Sequence, residues 1–149
     1  MQNEPKRLLL PFTHGVSITA IDNAVRLAYE CQATLVALAL VPSSDPRRGA
    51  RLEHIQQAKD FLEAVRRNAQ IYHVPCERYE IFTSDSQKSI EIFSTKLHCT
   101  GLIIFTGGRA LMSEAEVRAI MQCLECPLYM IQLPTRSKVG MASLFRSIL

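Results

Sequence analysis

Residues 33–41, Ala-Thr-Leu-Val-Ala-Leu-Ala-Leu-Val, are apolar nearly throughout, and this run constrains the fold more than any other. A strand with one face in water alternates polar and apolar side chains, whereas a continuous apolar run of strand length must be covered on both faces. Leu8, Leu9 and Leu10 begin a similar run, residues 101–105 (Gly-Leu-Ile-Ile-Phe) form another, and residues 127–133 make a fifth strand. Between them lie amphipathic stretches. Ile21, Ala24, Val25 and Ala28 share one helical face, with Ser17 placed to cap it. Residues 50–73 read as a long helix burying Leu52, Ile55, Leu62, Val65 and Ala69, which Val74-Pro75 stops. A third helix starts at Asp85 or Ser86 and buries Ile90, Phe93 and Leu97; a fourth covers residues 113–124. Residues 76–83 carry Glu77, Arg78 and Glu80 on alternating faces, which suits an edge strand. Buried strands alternating with helices predict an α/β doubly wound parallel sheet of five strands and four helices.

At 149 residues the chain is long enough for one domain with a substantial core. Two parts are expected: an α/β domain over residues 1–133 and a C-terminal tail over 134–149. Residues 1–133 hold 14 Lys and Arg against 14 Asp and Glu, so the net charge of +3 comes from Arg136, Lys138 and Arg146. A neutral body with a small basic tail argues against nucleic acid as a partner. No apolar run approaches the roughly 20 residues of a membrane span, and the first residues lack a signal-peptide profile. Five scattered cysteines, Cys31, Cys76, Cys99, Cys123 and Cys126, suit buried free thiols in a reducing compartment, and a cytoplasmic location is expected.

Two strand exits carry the chemistry. The first run opens into Thr13, His14 and Gly15, and the fourth into Thr106, Gly107, Gly108 and Arg109, with Ser113 nearby. Parallel sheets bind ligands beyond the carboxyl ends of their strands. Glycine lets a phosphate approach the backbone, hydroxyls donate, and Arg109 supplies charge, so a nucleotide or small anion is the indicated ligand. The same residues also suit an ordinary turn. The histidines form no cluster. His54 and His73 lie 19 residues apart on one helix, and His98 closes another, where a cation suits the dipole. Cys123 and Cys126 match Cys-x-x-Cys but stand at a helix C-terminus, where the dipole opposes thiolate formation. Packing is the better reading of that pair, and no metal is expected. No nucleophile, base and acid are spaced for catalysis, so no catalytic residue is assigned and no enzyme is expected. Ser84, Asp85 and Ser86 read as a helix cap.

Over residues 6–133 the chain resembles the universal stress protein family. The likeness rests on Leu8-Leu9-Leu10-Pro11, on Asp22-Asn23-Ala24-Val25-Arg26-Leu27-Ala28, and on Cys126-Pro127-Leu128-Tyr129-Met130-Ile131. It implies a sheet ordered 3-2-1-4-5, with the two loops facing each other. The family's ATP-binding branch has Gly-x2-Gly-x9-Gly-Ser/Thr after the fourth strand and an Asp ending the first. Here Thr13 stands in place of that Asp; counted forward from Gly107, Ala110 and Ile120 fall on the second and third glycines, and counted back from Cys126-Pro127, Glu114-Ala115 fall on the Gly-Ser pair. The resemblance therefore implies a degenerate pocket, no required cofactor, and weak nucleotide or anion binding at most. It also implies a homodimer through Leu128, Tyr129, Met130 and Ile131, an apolar edge that needs cover. In the tail, Met141, Leu144, Phe145, Ile148 and Leu149 share a helical stripe. That stripe could engage a protein partner, whereas membrane contact is not expected of ten residues with one Arg.

The leading expectation is a dimeric regulatory or stress-response module without catalysis. The alternatives are a nucleotide-binding protein using a rearranged loop at Thr106 and Arg109, and an interaction subunit for a membrane transporter or other partner.

Overall fold

A computed structural model describes residues 5–12, 18–43, 51–106, 114–123 and 126–132. They form β1 (Arg7–Phe12), α1 (Ile18–Glu30), β2 (Thr34–Pro42), α2 (Leu52–Ile71), β3 (Cys76–Thr83), α3 (Ser86–Lys96), β4 (Gly101–Thr106), α4 (Glu114–Cys123) and β5 (Leu128–Gln132). The strands make one sheet in the order β3-β2-β1-β4-β5, and every neighbouring pair is parallel. The expected class, strand count and order are all present.

Side-chain alternation sends successive strand residues to opposite faces, and each face has its own helices. Leu8, Leu10, Phe12, Leu35, Ala37, Ala39 and Val41 pack with Val25 of α1 and Phe61 and Val65 of α2. Leu9, Val36, Leu38, Leu40, Leu102 and Ile104 pack on the other face with Ile90 of α3 and Ile120 of α4. The run in β2 is apolar because both faces are covered: all residues from Leu35 to Val41 are buried. At the end of β1, the Phe12 ring lies almost flat on Phe61, with centroids 4.4 Å apart and planes 7° from parallel.

The long helix is present with a shifted stripe. Its buried residues are Ala58, Phe61, Val65 and Ala69, while Leu52 is 84% exposed. The spacing admitted Leu52, but the fully buried stripe begins at Ala58, more than a turn further on, so no residue of the first turn is fully buried. Ile55 and Leu62 flank the stripe as partly buried neighbours.

Three helices end alike. Gln32, His73 and His98 have positive φ, at 53°, 56° and 53°. The N–H of each next residue reaches back five positions: Ala33 to the Ala28 carbonyl, Val74 to Ala69 and Cys99 to Ser94, all at 2.8–2.9 Å. This is the Schellman closure, here without glycine. At the start of α3, Asp85 is the cap, its carboxylate accepting from the Lys88 N–H at 3.1 Å.

Gly101 opens β4 where no side chain fits. A Cβ there would stand 2.6 Å from the Tyr129 ring and 2.7 Å from Leu8 Cδ2. The bare backbone thus lets Tyr129 of β5 lie against the core.

Candidate functional site at the β1–β4 switch point

The crossovers build the site. From β1 the chain winds outward through β2 to β3, then returns past β1 to lay down β4 and β5. Winding reverses between β1 and β4, with α1 on one face and α4 on the other, and in such sheets the crevice at that point is where ligands bind. Both strands point the same way, so the exits after Phe12 and after Thr106 lie at one end of the sheet. Topology thus brings together the starts of the two sequence-predicted loops. Thr13, His14, Gly15, Gly107, Gly108, Arg109 and Ser113 lie outside the described residues. Of Thr106 only the backbone is described, opposite Gln132 of β5.

The described backbone adds a feature of this crevice that composition could not disclose. The carbonyl of Lys6 accepts from Thr34 of β2 at 2.9 Å, and the carbonyl of Arg7 accepts from Thr100, on the β4 side, at 2.7 Å. In a parallel ladder successive residues bond to alternate neighbours. Leu8, Leu10 and Phe12 therefore face β2, while Leu9 and Pro11 face β4. Proline has no N–H to donate. The β1–β2 register runs through to Phe12 and Ala39, whereas the β1–β4 register holds only Leu8 with Gly101 and Leu9 with Leu102. Pro11 interrupts that ladder among the described residues, because it has no N–H to give to β4.

The opposite end of the sheet is tied shut. Arg7 reaches across β2 to grip Glu77 of β3 with its two terminal guanidinium nitrogens, the second at 2.8 Å. Its Nε donates to the Leu97 carbonyl at the end of α3, at 2.8 Å. The Tyr79 hydroxyl donates to the same Glu77 carboxylate at 2.7 Å. These bonds, the Arg7 pair first, hold the Glu77 carboxyl down at about 2. The hydrogen bond to that carboxylate also raises the pKa of Tyr79. Sequence reading missed this cluster. Glu77 and Tyr79 do alternate onto one face, but their partner lies two strands away and appears only once the strand order is known.

The remaining chemical residues are dispersed. His54 Nε2 lies 3.8 Å from Glu53 on the surface of α2, and His73 and His98 are helix-terminal residues. Burial pushes up the thiols of Cys76 and Cys126, and that of Cys99 to about 11. Such thiols stay protonated, in keeping with a packing role for Cys126. Among the described residues no group of three His, Cys, Asp or Glu side chains could hold a metal, and no helix is long and apolar enough to cross a membrane.

At the free edge, Leu128 packs on the α3–α4 face, Tyr129 and Ile131 on the α1–α2 face, and Met130 is 57% exposed.

No family model matches the sequence, and no curated protein matches it. Solved structures do. A universal stress protein family member from Burkholderia pseudomallei superposes with a TM-score of 0.67 at 16% identity, covering 85% of this chain and 95% of that one. The universal stress protein of Archaeoglobus fulgidus in complex with dAMP gives 0.65 at 12%, covering 85% and 97%. A universal stress protein family protein of Arabidopsis thaliana with AMP bound gives 0.62 at 14%, covering 94% and 99%. With its strand order, its two-faced helix arrangement and these likenesses, the chain has the universal stress protein fold.

Proposed function

We propose that this protein is a dimeric, non-catalytic regulatory module whose β1–β4 crevice binds a nucleoside monophosphate or small anion weakly. The observation that supports it most is the adjacency of β1 and β4 at the switch point, with their ladder interrupted at Pro11. Similar structures hold dAMP and AMP. Against tight ATP binding stand Thr13, where the family's ATP-binding branch has Asp, and the missing distal glycines. Gly107 and Gly108 give a phosphate access to the backbone, and Arg109 adds charge. Residues 1–133 are the binding module, and residues 134–149 a basic, apolar appendage for a protein partner.

Thermal-shift titration tests the ligand. AMP or inorganic phosphate at millimolar concentration should raise the melting temperature, since binding only the native state stabilises it. Arg109→Ala should weaken that effect about tenfold or more, because a charge-assisted hydrogen bond contributes ~1.5–3 kcal/mol. ATP with magnesium should bind no tighter than about 10 μM, equivalent to roughly 7 kcal/mol. Tighter ATP binding would favour the rearranged-loop reading, and no response to any ligand would remove the pocket from the proposal.

The dimer is proposed through β5. The edge strand β3 carries Glu77, Arg78 and Glu80, charges that discourage strand addition, whereas β5 offers Met130 at an uncharged edge. Sedimentation at micromolar concentration should give near twice 16.8 kDa, and Met130→Lys should give monomers by burying a charge in the contact. A monomeric wild type would overturn the dimer and leave the tail as the candidate cover.

A further inference from the structure

Two thiols stand close together at the base of β4 and β5. Cys99 precedes β4 by two residues and Cys126 precedes β5 by two. Both side chains are half-buried and pack against one apolar cluster, on the α3–α4 face. The backbone sets their spacing. Leu102 stands opposite Leu128, and its N–H donates to the Pro127 carbonyl at 3.0 Å. Counting back two positions on each strand puts Cys126 beside Thr100, the chain neighbour of Cys99. Neighbouring strands lie about 4.8 Å apart, and the Cys126 thiol stands near enough to Cys99 for its charge to bear on that thiol. Disulfides span Cα separations of about 4.4–6.8 Å.

We propose that Cys99 and Cys126 form an oxidisable pair that closes to a disulfide under a hydroperoxide, linking the base of β4 to that of β5. One thiol loses its proton and attacks a peroxide oxygen. The O–O bond breaks, hydroxide leaves, and the sulfur becomes a sulfenic acid. The second thiol, deprotonated, attacks that sulfur; the S–S bond forms as the S–O bond breaks and the oxygen leaves as water. Two thiols and one hydrogen peroxide give one disulfide and two waters, the thiols oxidised and the peroxide reduced. Burial disfavours both thiolates, although the Arg7 guanidinium partly offsets this at Cys99. The pair therefore reacts more slowly than an exposed thiol and closes under sustained rather than brief oxidation. The bridge would join the two ends of the β4–α4 unit, which includes the loop bearing Gly107 and Gly108. Cys123, three residues before Cys126 in sequence, offers it a rival partner through Cys-x-x-Cys.

The test is peptide mapping of the full chain after treatment with hydrogen peroxide, alkylation of remaining thiols, and digestion without reduction. The expected product is a cross-linked peptide pair containing Cys99 and Cys126, lighter by two hydrogens and separated by dithiothreitol. Cys123→Ser should retain it, and Cys99→Ser should abolish it. A cross-link between Cys123 and Cys126 alone, or free Cys99 and Cys126 after prolonged oxidation, overturns the proposal. Mapping of the wild type decides the matter even where a serine variant fails to fold.

Discussion

Glu77 shows what a single residue does for this fold. Its carboxylate gathers Arg7 from the central strand and Tyr79 from its own, while Arg7 also holds the end of α3. A carboxyl held at about 2 contributes stability that is fully present above the ordinary carboxylate range, near pH 4.5. That contribution is lost as pH falls from there towards 2. The group is partly exposed, so screening reduces the net effect to about 1 kcal/mol. Glu77→Gln should therefore lower stability to urea by about that much at pH 7 and much less at pH 2.5, where most of the linked stability is already gone although the folded-state carboxyl is still partly ionised. Equal destabilisation at both pH values would show that the side chain acts by packing rather than charge. Leu52 illustrates the opposite limit. An apolar residue at helical spacing is evidence of a core face only if something stands over it, and at the start of α2 its side chain is exposed.

Among the elements, the strands were the most legible part of the chain. β2 and β4 are apolar because helices cover both faces, and that requirement is written residue by residue. Edge status was legible too at β3, from charge on both faces. Strand order was not written in periodicity and came from family resemblance, since alternation says nothing about which strand lies beside which. The places where the helices end were legible to within about two residues, but the form of their closure was not. Gln32, His73 and His98 occupy positions where glycine is the usual residue, so no glycine announced the left-handed turn. This gives a prediction at the scale of the element: His73→Gly should leave the fold unchanged and raise unfolding free energy by up to about 1 kcal/mol by removing left-handed strain. Chemical denaturation checks it, and a loss of stability would mean that the imidazole makes a compensating contact. The binding loops were legible only as candidates, because glycine, threonine and a lone arginine serve a turn as readily as a phosphate.

The sheet as a whole is not evenly joined. Three strands on one side of the switch point are stitched along their length, whereas the register of β1 with β4 among the described residues is confined to Leu8 and Leu9, interrupted at Pro11, which cannot donate. Cooperativity need not then be uniform across the molecule. A break confined to that seam separates β4, α4 and β5 from the remainder without opening the β3-β2-β1 ladder, and such contiguous units can open locally below the global unfolding free energy. Amide hydrogen exchange at low denaturant should accordingly reveal a less protected unit comprising residues 101–106, 114–123 and 128–132, with β2 amides exchanging only on global unfolding. Uniform protection across the seam would show that side-chain packing alone makes the sheet one unit. The absence of a single N–H at Pro11 would thus divide the energy landscape as well as the sheet, so that the part of the chain beside the crevice can rearrange while the rest keeps the fold.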